Sequence, residues 1–152
     1  MEDVGMEPRR AGQEEAEELA ELFMAARRAN IPAIPPSVHT DAETSRWFAE
    51  VLLPSSEVWV LGPPGAVVAL MVLHSPWVEQ LYVRPGETGR GLGSILLDHA
   101  KAGRDHLLLW TFQSNTGARR FYERHGFQPE ATTEGDNEEH APDVLYRWRG
   151  RH

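Results

Sequence analysis

Between Pro85 and Ser94 the chain places glycine at positions 86, 89, 91 and 93, directly after an apolar run ending at Val83. A helical pattern of Leu92, Ile95, Leu96 and Ala100 follows. No other stretch restricts the fold as much. Closely spaced glycines let the backbone turn sharply and approach a ligand. A helix that starts straight after them leaves its first N–H groups without intrahelical acceptors and aimed beyond the helix end. The segment therefore reads as a strand, an anion-binding loop and a helix, with phosphate or pyrophosphate as the ligand and Arg90 as an added positive charge. Two familiar loops fail on the letters. A P-loop needs Lys after its closing glycine, where Leu92 follows Gly91, and a dinucleotide fingerprint needs glycine where Ser94 or Leu96 stands. On the loop alone, a glycine turn that holds no ligand remains the alternative.

The rest of the chain alternates helix and strand signals. A short first strand is expected around Met6 to Arg10, then a helix from about Gln13 to Ala29 with Glu14, Glu15, Glu17, Glu18 and Glu21 as its solvated face. Thr40 and Glu43 have capping-box spacing and predict a second helix, which Pro54 stops. VWVLGPPGAVVALMVL reads as an antiparallel hairpin, and Trp77 to Val83 as the next strand. After the loop come a helix from Gly91 to about Gly103, a buried central strand at His106 to Phe112, and a helix from Asn115 to His125 closed by Gly126. A strand near Phe127, a polar loop EGDNEEHAPD and a last strand DVLYRW complete the pattern.

Composition narrows the function. The 152 residues are 41% hydrophobic, enough for one domain over residues 1–152 with a real core. Without cysteine there is no disulfide, thiolate metal site or cysteinyl intermediate, which fits a cytoplasmic protein. The histidines show no metal-ligand spacing, so no metal is expected. A net charge of −8 argues against nucleic acid as a partner. It would attract a cationic amine, or simply solvate the surface. The longest apolar run, Ala66 to Leu73, is too short to span a bilayer, so neither a membrane nor a signal sequence is expected.

Three blocks, LYVRP at Leu81 to Pro85, TGRGLG at Thr88 to Gly93 and NTGARRFYERHGF at Asn115 to Phe127, together resemble the GNAT superfamily of acetyl-CoA-dependent N-acetyltransferases. One departure is Thr88, where the family usually has Gln or Arg. The resemblance implies an α/β (α+β) fold with a mixed, mostly antiparallel sheet splayed at its centre and helices on both faces. It also implies acetyl-CoA as co-substrate. The pantetheine arm would lie against Leu81, Tyr82 and Val83, with the pyrophosphate on Gly89, Arg90, Gly91, Leu92, Gly93 and Ser94. Asn115 either binds the cofactor arm or only caps its helix. Tyr122 matches the tyrosine that serves as general acid in many relatives, and the alternative is a ring that only packs.

Direct attack of a primary amine on the thioester needs a base, and strand alternation puts Glu79 on one face with Trp77, Leu81 and Val83. Glu79 is either that base or a surface carboxylate, with His39 as another candidate. By resemblance the acceptor pocket lies between Ile31 to Thr40 and Asp136 to Pro142, with His39, Trp77, Trp110 and Glu138 as candidate contacts for a small-molecule or protein amine. A homodimer is an open alternative, since relatives are often dimers. The rival functions are a non-catalytic acyl-CoA sensor and transfer of a longer acyl group.

Overall fold

The computed structural model describes residues 6–150. Seven strands form one sheet in the order β1-β2-β3-β4-β5-β7-β6. They are β1 Arg9–Arg10, β2 Glu57–Leu61, β3 Ala69–His74, β4 Trp77–Val83, β5 His106–Phe112, β6 Gln128–Thr133 and β7 Asp143–Arg149. Every neighbouring pair is antiparallel except β4 and β5, which run parallel at the middle. The expected α/β architecture is the one observed. Only Arg9 and Arg10 of the first predicted strand pair with β2, while Met6 packs against the core ahead of it.

Helices cover both faces. On one side lie α1 (Ala16–Ala29), entered through a 3₁₀ turn at Gln13–Glu15, and α2 (Asp41–Trp47). Leu19, Leu22, Phe23 and Phe48 pack there against Val58, Val60, Leu70 and Val72. The Thr40 capping box is present, with Thr40 Oγ1 accepting from Glu43 N–H and the Glu43 carboxylate accepting from Thr40 N–H. Pro54 does not stop this segment at once. The chain widens into a π turn at Phe48–Leu52, in which Leu53 donates five residues back to Phe48, and closes through α3 (Leu53–Ser55). A proline ring crowds the carbonyl four residues before it, and a wider turn relieves that contact.

On the other side, α4 (Leu92–Lys101) and α5 (Thr116–Arg124) set Leu92, Leu96, Leu97 and Tyr122 against Met71, Leu73, Leu107, Leu109 and Tyr146. Gly126, with φ of +87°, closes α5 in the left-handed region where a Cβ would be strained.

Not all the helix-face glutamates are solvated. Glu15 is 4% exposed and accepts from both terminal nitrogens of the Arg9 guanidinium, at 2.7 and 2.9 Å, and from Gly12 N–H. Glu18 accepts from the amides of Gly65 and Val67, and Glu21 pairs with Arg84. The hairpin and strand ends supply donors that sequence spacing does not reveal.

Candidate active site

The central sheet opening is the first element of the site. β4 and β5 share a single register pair, Trp77 with Leu108, where Leu108 N–H donates to the Pro76 carbonyl at 2.8 Å. Beyond it the two strands go unpaired toward Val83 and Phe112. Arg84 N–H donates to the carbonyl of Val68, the residue just ahead of β3, so alternation turns the backbone groups of Tyr82 the same way and those of Leu81 and Val83 toward the gap.

β5 is central in the sheet yet buried only at alternate residues. Leu107 and Leu109 are covered, whereas Trp110 is 45% exposed and, with Thr111 and Phe112, lines the opening. The strand expected as a buried central one is central, but its exposed face is one wall of a cleft.

A bulge changes the face assignment on β4. Gln80 pairs with Val72 and Val78 with Leu73, which leaves Glu79 as the extra residue. Strict alternation fails there. Val78, Leu81 and Val83 pack with the α4 cluster, while Tyr82 packs with the α1 cluster. Trp77 lies outside the cleft lining, at the closed end of the gap between His74 and Leu108, so the wall predicted from it is not where the structure puts it. Glu79 itself is exposed and lines the cleft, which makes it a wet carboxylate at no burial cost.

The cleft encloses about 900 Å³ and runs from the strand gap to the loops joining α1 to α2 and β6 to β7. Tyr122 enters it from α5. The phenol is 9% exposed, packs against Phe121, Phe127 and Tyr146, and makes no side-chain hydrogen bond among the described residues. Burial pushes its pKa well above the ordinary tyrosine range, and nearby Tyr82 adds to the shift. Asn115 also lines the cleft while its Oδ1 accepts from Ala118 N–H, so the capping role is present in the structure.

At the far end the predicted loops meet. His39 Nε2 is 3.0 Å from Glu138 and its Nδ1 3.8 Å from Glu43. The hydrogen bond to Glu138, then that carboxylate's charge, raises the His39 pKa above its usual value. Ser114 Oγ donates across to the Ala33 carbonyl at 2.7 Å. Asn137 is turned to its own loop, donating to Ala141 and Asp143 and accepting from Ala141.

Arg27 belongs to no motif, yet it reaches into this end of the cleft. It pairs with Glu139 at 3.4 Å, donates to Pro35 at 3.2 Å and meets Tyr82 Oη at 3.4 Å, and its buried Nε has no hydrogen-bond partner among the described residues. The signal that locates it is spacing, four residues after Phe23 on the inner side of α1.

The glycine loop leads out of the gap. Gly86, Gly89 and Gly91 have φ of +92°, +84° and +77°, and a Cβ built on any of them would meet no atom within 4 Å. That face is open backbone. Gly91 caps α4, and the first bond of the helix runs from Ile95 N–H to the Gly91 carbonyl, so the amides of Leu92, Gly93 and Ser94 have no intrahelical acceptor. Such a cradle fits an anion. Arg90 is held by Glu87 at 2.5 Å and is not a free positive charge.

A strand gap that continues into an amide cradle suits a long ligand with a phosphate group. Residues 54–129 match the family model described as an acetyltransferase (GNAT) domain. The chain is a GNAT acetyltransferase.

This acetyltransferase is 26% identical over 130 residues to the peptidyl-lysine N-acetyltransferase YjaB of Escherichia coli K12, covering 85% of the chain and 86% of that relative. The solution structure of apo YjaB from Escherichia coli has a TM-score of 0.75 at 25% identity, over 95% of this chain and 97% of that one. The fold is shared with yncA of Salmonella typhimurium, solved with its cofactor acetyl-CoA, at a TM-score of 0.68 and 19% identity over 97% and 95% of the two chains. The enzyme is an N-acetyltransferase with acetyl-CoA as its co-substrate. Among the described residues no helix is long and apolar enough to cross a membrane.

Proposed function

We propose that the enzyme acetylates a primary amine of lysine type by direct attack, with the acceptor entering between the His39 and Glu138 loops. The observation that carries this reading is the stretch of β4 and β5 left unpaired with each other, opening onto a cleft that Tyr122 enters with no side-chain hydrogen bond among the described residues. Acetyl-CoA supplies an acetyl group activated as a thioester. The backbone of Leu81 and Val83 aligns the arm of that molecule as an extra strand, and the amides from Gly89 to Ser94 hold its pyrophosphate. The N–H near Val83 stabilises the oxyanion. Tyr122 keeps a proton at Oη for the leaving sulfur, and its raised pKa keeps that proton in place through neutral and mildly alkaline pH.

The amine must lose a proton, and Glu79 accepts it directly or through water. His39 is the less available base, because Glu138 and Glu43 hold its ring toward the protonated form, which has no lone pair left to accept a proton. A cationic acceptor is supported by the carboxylates of Glu79, Asp136 and Glu138 on the cleft wall. Trp110 gives an exposed aromatic surface for the methylene stem or its ammonium. The names of YjaB and of a further relative, YiaC of Escherichia coli K12, support a peptide-borne lysine. The cysteine-free composition supports a cytoplasmic setting.

The test is thiol release from acetyl-CoA with lysine peptides, free amino acids and small diamines as acceptors, and mass spectrometry of the products. The proposal expects one added acetyl on the lysine side-chain nitrogen of peptides. Acetylation confined to small amines, with every lysine peptide inert, would overturn the choice of acceptor.

A further inference from the structure

The last turn of α5 is fastened to the first turn of α4. Ser94 Oγ lies 2.9 Å from His125 Nε2, and His125 Nδ1 lies 2.8 Å from the Phe121 carbonyl oxygen. A carbonyl oxygen only accepts, so Nδ1 carries the proton. In the neutral ring Nε2 is then an acceptor, and the Ser94 hydroxyl donates to it. One residue earlier, a Cβ on Gly93 would stand 3.2 Å from the Phe121 ring, and the Phe121 and His125 rings are 4.4 Å apart. Ser94 has committed its only hydroxyl proton to His125. What it offers an incoming anion is its backbone N–H, in a first helical turn that its side chain ties to the end of α5.

We propose that His125 is a positioning residue for acetyl-CoA, acting through Ser94 to hold the first turn of α4 so that its free amides converge on the pyrophosphate. The inference rests on the reading of Gly89 to Ser94 as the pyrophosphate loop. It makes α5 a bridge between two parts of the site. Asn115, Ala118 and Tyr122 face the cleft, while Phe121 and His125 buttress the cofactor loop.

The experiment compares the full chain with His125→Phe, His125→Gln, Ser94→Ala and the double variant His125→Phe/Ser94→Ala, by calorimetric titration with CoA, steady-state kinetics and thermal unfolding. Loss of one hydrogen bond at a half-buried site predicts about a 5-fold rise in the CoA Kd and in the KM for acetyl-CoA for His125→Phe. kcat and the KM of the acceptor should stay near wild type. Glutamine reaches the Nε2 position with an acceptor oxygen and should restore most of the affinity. Ser94→Ala should match the loss, and the double variant should bind no worse than either single one. Wild-type CoA affinity in His125→Phe would overturn the proposal. So would a joint fall of kcat, both KM values and the unfolding temperature that glutamine does not rescue. If the wild-type chain does not bind CoA, the pyrophosphate loop itself is misread and the inference falls with it.

Discussion

In the proposed mechanism Tyr122 and Glu79 divide the proton chemistry by their surroundings. Tyr122 is buried, without a side-chain hydrogen bond among the described residues, and pushed toward its neutral form, whereas Glu79 sits wet on a bulge. Tyr122→Phe removes the proton donor and leaves the ring packing, so kcat should fall by about 10² or more. CoA affinity should hardly change, and calorimetry beside turnover checks both. Glu79→Gln removes the proposed proton acceptor and should lower kcat by about 10-fold or more with CoA affinity kept; an unchanged kcat would hand the proton to water. Sequence shows Tyr122 well, because it lies in a dense block with Asn115 and Gly126. It shows Arg27 poorly, because a cation at core spacing in α1 has no signature until Glu139, 112 residues away, folds against it.

At the level of elements, punctuation in the chain is informative and internal irregularity is not. The bounds of β4 and β5 follow from Ser75, Pro76 and Pro85 and from the apolar block His106 to Phe112, and the structure has the same bounds. The bulge at Glu79 leaves no trace in composition. A single inserted residue exchanges the faces of everything before it, which is why Trp77 leaves the site and Val78 joins the core. The cradle at the head of α4 is legible from glycine spacing, but the pairing of Arg90 with Glu87 is a local contact that spacing does not decide. Gly91→Ala forces a Cβ into φ of +77° with no steric obstacle, so its cost is backbone strain of about 1–2 kcal/mol. Thermal unfolding should register that loss, and CoA should bind more weakly because the cap that aims the amides is distorted.

Across the molecule, the two faces of the sheet carry separate tasks that meet at the β4–β5 gap. In the proposed reaction the α4 and α5 face supplies the cradle and the proton donor, and the α1 and α2 face supplies the acceptor wall, each from residues that pack or line the cleft on that side. The outer strand is tied on by Arg9 and Glu15, a pair hidden in what looks like a uniformly acidic helix start. The hydrogen bond from Arg9 lowers the Glu15 pKa, so this stabilisation is complete above the ordinary glutamate value of about 4.3 and is lost as pH falls through the depressed one. Glu15→Gln should therefore cost about 1–3 kcal/mol at neutral pH, partial exposure of Arg9 setting the lower figure. The difference from wild type should shrink in acid unfolding curves below about pH 4.

The central claim is that acetyl-CoA lies in the strand gap and ends on the head of α4. Amide hydrogen exchange with and without CoA tests it residue by residue. Slower exchange at Leu81, Val83 and Gly89 to Ser94, with β1 and β2 unchanged, is the predicted result. Protection that spares those amides and appears instead along the β6–β7 loop would contradict it.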